Sequence, residues 1–156
     1  MKTKLLTGVV LFCVATTICL ARIGETLDDC KLRYSGSGEP LGFDQFKFRR
    51  GSIAVIVHIR NGRSVQEDFA PERGSLLSES DFAEILQENS EGSTWELASE
   101  TATYTSYLRK DGKASAQKAR PNSSTTDGGN VKLSIQGAEL IIKYTASAIS
   151  QLPPAQ

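Results

Sequence analysis

Apolar residues recur along this chain with two periods, and the switch between them marks its elements. Leu27, Cys30 and Tyr34 follow helical spacing, as do Phe82, Ile85 and Leu86, with Asn89 on the same line. Each set therefore lies along one face of a helix. Both helices carry start signals. Thr26 precedes Leu27-Asp28-Asp29, and Ser78 precedes Glu79-Ser80-Asp81. In each, a hydroxyl can accept from a first-turn N–H while an acid three residues on faces the positive helix end. Leu77 and Phe82 hold the two positions of a hydrophobic staple.

Elsewhere the period is two. Phe46 and Phe48 alternate with Gln45, Lys47 and Arg49. Ile53, Val55, Val57 and Ile59 alternate with Ala54, Ile56, His58 and Arg60 in the clearest strand signal of the chain. Asn61-Gly62 predicts a two-residue hairpin turn, because both residues tolerate positive φ, and residues 65–69 return as a third strand. The second half repeats the order: strands over 94–97 and 103–109, the turn Asp111-Gly112, and a strand over 113–119. The stretch 35–40 is rich in Ser, Gly and Pro and reads as a break, and 121–130 holds no apolar residue and reads as a loop. Val131, Leu133 and Ile135 alternate, Gln136-Gly137 turns, and residues 140–144 complete a final hairpin.

The expected fold is α+β: an antiparallel sheet packed by two helices, as a possible tandem αβββ repeat followed by a C-terminal hairpin. Thr26 and Ser78, Asp29 and Asp81, Cys30 and Phe82, and Tyr34 and Leu86 align across the halves. Such matches arise from duplication or from parallel element order alone, since caps and hairpin turns recur in unrelated chains.

The N-terminus changes the picture. A basic Met1-Lys2-Thr3-Lys4 leads into an apolar stretch from Leu5 to Leu20, closed by Cys19-Leu20-Ala21 with small residues at the two positions a signal peptidase reads. As a helix, residues 5–21 would span about 25 Å, short of the ~30 Å hydrocarbon core. A cleaved leader over residues 1–21 is therefore expected, with the cut between Ala21 and Arg22, and the protein is expected in the periplasm or outside the cell. An uncleaved anchor is the alternative. Lipidation fits neither Cys13 nor Cys19, which follow Phe12 and Ile18. A single domain over 22–150 and a flexible Pro-containing tail over 151–156 complete the organisation.

Charge and cysteine content follow from the cut. Removing Lys2 and Lys4 from 18 basic residues leaves 16 against 18 acidic ones, a net −2. A near-neutral surface argues against nucleic acid or an anionic membrane as partner. Cys30 alone stays, so no internal disulfide is expected and the fold rests on core packing.

Candidate chemistry is sparse. His58 is the only histidine, set on the strand face opposite the Ile/Val run, and reads as a solvated side chain. Cys30 lies on the apolar helix face and reads as packing, with a nucleophile served by His58 as the sharper alternative. Asp28-Asp29 reads as helix-start charge, and Glu67-Asp68, beside Arg63, as surface. The glycines Gly36 and Gly38 lack the third glycine of a dinucleotide loop. No catalytic, cofactor or metal residue is assigned. Asn122-Ser123-Ser124 is a glycosylation sequon. Trp95, Tyr104 and Tyr107 are the candidate binding surface, because strand aromatics give large contact area at low entropic cost, although they serve equally as core or cross-strand pairs.

Ile23-Gly24-x-Thr26-x-Asp28-Asp29, then Tyr34, then Gly38-x-Pro40, then a β-run ending in Asn61-Gly62, resembles the small envelope proteins of the SmpA/OmlA (BamE-like) type and the related β-lactamase-inhibitor-like fold. The resemblance covers residues 23–69 and, through the repeat, 78–119. It implies helices packed on an antiparallel sheet and a role in binding protein without catalysis. The outer-membrane assembly members carry a lipid-modified cysteine that this chain lacks, and no functional residue carries over. The function expected from the sequence is an exported, non-enzymatic interaction domain. A small exported hydrolase using carboxylates and a membrane-anchored envelope protein are the alternatives.

Overall fold

A computed structural model describes residues 22–72, 77–120 and 133–138. Two helices and eight strands follow in the order α1 (Leu27–Arg33), β1 (Glu39–Gly42), β2 (Gln45–Arg50), β3 (Ile53–Arg60), β4 (Arg63–Pro71), α2 (Glu79–Glu88), β5 (Trp95–Glu100), β6 (Tyr104–Arg109), β7 (Ala114–Ala119) and β8 (Leu133–Gly137). The fold is mixed α and β and dominated by its sheet. The leader, the 121–130 loop with its sequon, the strand expected over 140–144 and the 151–156 tail all lie outside the described residues.

The caps form as the sequence predicts. Asp29 N donates to Thr26 Oγ1 and Thr26 N to Asp29 Oδ2, a full capping box. At α2, Asp81 N donates to Ser78 Oγ, but the Asp81 carboxylate takes its bond from the Ser78 hydroxyl instead of reaching the backbone. Leu77 and Phe82 are both buried in the core.

All eight strands join one antiparallel sheet in the order β1-β2-β3-β4-β8-β7-β6-β5. Four strands follow α1 where three were expected, and among the described residues four follow α2, the three expected ones and β8, the first strand of the expected C-terminal hairpin. The extra one in the first half, β1, starts within the stretch read as a break. Its Pro40 is tolerated because the strand is an edge. In the second half, β8 does not stop at Gln136. It runs to Gly137 in the middle of the sheet, between β4 and β7.

Register decides which side chains enter the core. Phe48 faces Val55, Val55 faces Phe69, Phe69 faces Leu133, Glu67 faces Ile135, and Ile135 faces Ala116. These residues share one face and are buried, and the apolar ones form one cluster with Cys30, Leu77, Phe82, Ile85 and Leu86 of the helical segments. The Phe82 ring lies 5.3 Å from Tyr107 and the Tyr34 ring 5.2 Å from Phe48. Asn61-Gly62 makes the predicted turn with φ of 51° and 75°. A strict two-residue hairpin would then set His58 against Val65. An irregularity at His58/Ile59 instead sets His58 against Gln66 and Val57 against Glu67. That extra residue is what turns Glu67 and Phe69 to the core side, since a one-residue slip inverts every side chain.

Candidate functional site

The sheet face opposite the core carries Lys47, Arg49, Ala54, Ile56, His58 and Asp68, followed across the sheet by Ser134, Gln117, Ser106 and Tyr104. Its middle is lined with small and polar groups. At the β1 edge, Leu41, Ala54, Ile56 and Ala70 floor a trough of about 570 Å³, with Lys47, Arg49 and Glu72 on its rim. Arg49 Nε pairs with Glu72 at 3.0 Å, and Lys47 makes no ion pair among the described residues.

Beside the trough, the β1–β2 turn projects Phe43 into solvent. The ring is fully exposed at 103%, and neighbouring Leu41 is 46% exposed. The backbone there is unusual: Phe43 and Asp44 both have positive φ, 23° and 60°. Asp tolerates the left-handed region, whereas a bulky aromatic in it is strained. Asp44 O accepts from Ile59 N at 2.7 Å, which ties the turn to β3. The exposed aromatic thus sits on a tethered tip.

His58 has partners that the sequence reading did not give it. Its Nε2 lies 2.9 Å from Asp68 Oδ2, and its Nδ1 lies 3.4 Å from Gln45 Nε2. Gln66 Nε2 donates to both Asp68 oxygens at 2.9 and 3.0 Å. Burial would raise the Asp68 pKa, but the hydrogen bonds from His58 and Gln66 lead the opposing effects and hold the carboxyl below its usual range. Neither ring nitrogen of His58 meets a hydroxyl or thiol among the described residues, so the pair has no nucleophile to activate there.

The expectation that Glu67 and Asp68 are surface is overturned. Glu67 is completely buried and Asp68 nearly so. Arg33 grips Glu67 through Nη2 at 2.7 Å and Nη1 at 3.3 Å, and the Tyr34 hydroxyl donates to Oε2 at 3.2 Å. Arg33 Nη2 also lies 2.6 Å from Glu25. Burial works against the Arg33 charge, yet the Glu67 carboxylate prevails and raises its pKa. Burial raises Glu25, with Arg33 opposing. Arg63, expected beside Glu67, instead donates to Gly24 O at 2.8 Å. Cys30 is buried under the same network, and burial pushes its thiol up to about 11, the setting of an unreactive cysteine.

The three predicted aromatics are not brought together. Trp95 is half-buried and its Nε1 donates to Leu86 O at 2.8 Å; Tyr107 is half-buried against Phe82. Tyr104 lies on the other face, 38% exposed, in register with Ala119. Among the described residues, no three His, Cys, Asp or Glu side chains converge as a metal site would need, and no helix is long and apolar enough to cross a membrane. No protein-family model, curated protein or solved structure matches the chain.

Proposed function

We propose that this chain is an exported, non-enzymatic interaction domain that grips a protein partner with the β1–β2 tip and the open sheet face beside it. The observation that carries the reading is Phe43, a wholly exposed aromatic on a strained but tethered turn. Strained backbone and an unburied ring both cost stability, and such costs collect at binding sites. Export rests on the leader pattern.

The finer architecture in this reading is one domain over 22–150, with both helices against the core face and two αββββ units meeting at β4 and β8. The mirrored strand order supports it. The face opposite the core spans the eight strands of the sheet. At about 4.8 Å per strand and ~20 Å of strand length it offers roughly 700 Å², near the ~800 Å² each partner contributes to a standard interface. Leu41 on the β1 edge and Tyr104 on β6, one strand in from the other edge, supply its apolar margins, and the His58–Asp68 pair its polar centre.

Site-directed photocrosslinking in the native host tests this. A photoreactive residue at position 43 is expected to give one dominant protein adduct that excess unlabelled wild-type protein removes and Phe43→Ala competitor removes about thirtyfold less well, the ~2 kcal/mol of an interface hot spot. The same probe at Leu32, exposed on α1, is the control. Equal adduct patterns at both positions, or equal competition by both proteins, would refute the proposal.

A further inference from the structure

At one end of the sheet three cations gather, and no carboxylate lines the space between them among the described residues. Arg60 and Arg63 flank the β3–β4 turn directly opposite one another. Lys113 comes from the turn into β7, and its carbonyl accepts from Ala138 N at 2.9 Å. Together they rim a pocket of about 280 Å³ walled by Ile23, Val65 and Ala138. Like charges in directly opposed strand positions are destabilising, so this pairing is a cost the fold carries.

None of the three forms an ion pair among the described residues. The acids that feel them are engaged elsewhere. Asp29, near Arg63, is bonded to Thr26; Asp111, near Lys113, is held by Arg109 Nε and the Lys113 N–H. Arg63 Nη1 is fixed on Gly24 O, which orients the guanidinium and leaves its other N–H groups available. The apolar wall is also set. Ile23 Cγ2 sits 2.6 Å from where a Cβ on Gly137 would stand, so only glycine admits it, and Gly24 N donates to both Ser64 O and Ser64 Oγ.

We infer that this pocket binds a small organic phosphate monoester. The phosphoryl group lies among Arg60, Arg63 and Lys113, and a short apolar body rests on Ile23, Val65 and Ala138. Three converging cations match a group carrying between one and two negative charges at neutral pH, and arginine forks suit its oxygens better than point charges do. The volume lies at the small end of ligand sites.

Phenyl phosphate titrated into the ¹⁵N-labelled protein at low ionic strength is the test. Saturable shifts are expected at the amides of Gly24, Gly62 and Ala138. The exposed-site variant Arg60→Gln/Lys113→Gln is expected to weaken binding by about tenfold or more. Arg63→Lys should fall between, Lys31→Gln on α1 should match the parent, and phenol should not bind. Absence of saturable shifts, or undiminished binding by the double variant, overturns the site. Inorganic phosphate binding as tightly as phenyl phosphate overturns the apolar half of the assignment.

Discussion

Replacing Arg33 with methionine tests what holds the first helix to the sheet. Methionine keeps most of the stem's volume, so the change removes chiefly the charge. In the native protein Arg33 is 5% exposed and Glu67 is wholly buried. After the change Glu67 keeps the Tyr34 hydroxyl as its remaining named partner. Breaking a buried pair from one side leaves an uncompensated charge and costs about 3–5 kcal/mol. At a urea slope of about 1.5 kcal/mol per molar, the midpoint falls by roughly 2–3 M, against a total stability of 5–15 kcal/mol for a domain of this kind. Glu67→Gln should cost less, about 1–2 kcal/mol, because Arg33 still has Glu25 at 2.6 Å. The double variant should then be more stable than Arg33→Met alone. Urea titrations followed by Trp95 fluorescence and circular dichroism measure all three. If the double variant loses the sum of the two single losses, the stranded carboxylate is not what makes Arg33 costly to remove, and the argument fails.

Other outcomes follow from the same coordinates. Cys30, buried with its thiol pushed to about 11, should react with a thiol reagent only through opening of the fold, so labelling should speed up with added urea; fast labelling in buffer would contradict its burial. Asp68 has a folded pKa below its unfolded value, so its contribution is present above about pH 4 and lost as pH falls through the folded value; Asp68→Asn should flatten the stability profile in that acid window, and an unchanged slope would refute it. Glu25 runs the other way: its raised pKa contributes stability that is present at low pH and declines as pH rises through about 4.3 and upward, so Glu25→Gln should remove that decline. Phe43→Ala should change stability by no more than about 0.5 kcal/mol, since the ring buries nothing; a larger loss in thermal or urea melts would show that the ring serves the fold.

The two periods of the sequence locate both helices, their caps and the Asn61-Gly62 hairpin, because these are encoded within a few residues of one another. The buried ion pair is legible in those periods only in part: they put Glu67 on the same face as Phe69, but not that face toward the core. Arg33 lies three residues beyond Cys30, on the apolar line of α1, and Glu67 lies two before Phe69, on the core side of β4. Reading Glu67-Asp68 as an adjacent acidic pair put weight on sequence proximity, whereas alternation sends the two to opposite faces. Two features are beyond local pattern. The irregularity at His58/Ile59 fixes which of Asp68 or Glu67 faces the core, and it depends on core packing that only the assembled sheet supplies. The position of β8 depends on β4, more than sixty residues earlier, so alternation of Leu133 and Ile135 reveals a strand but not its neighbour. The candidate binding tip is hidden for a different reason. Phe43 breaks the correlation between apolarity and burial, and only coordinates separate an aromatic held in solvent from one in a core.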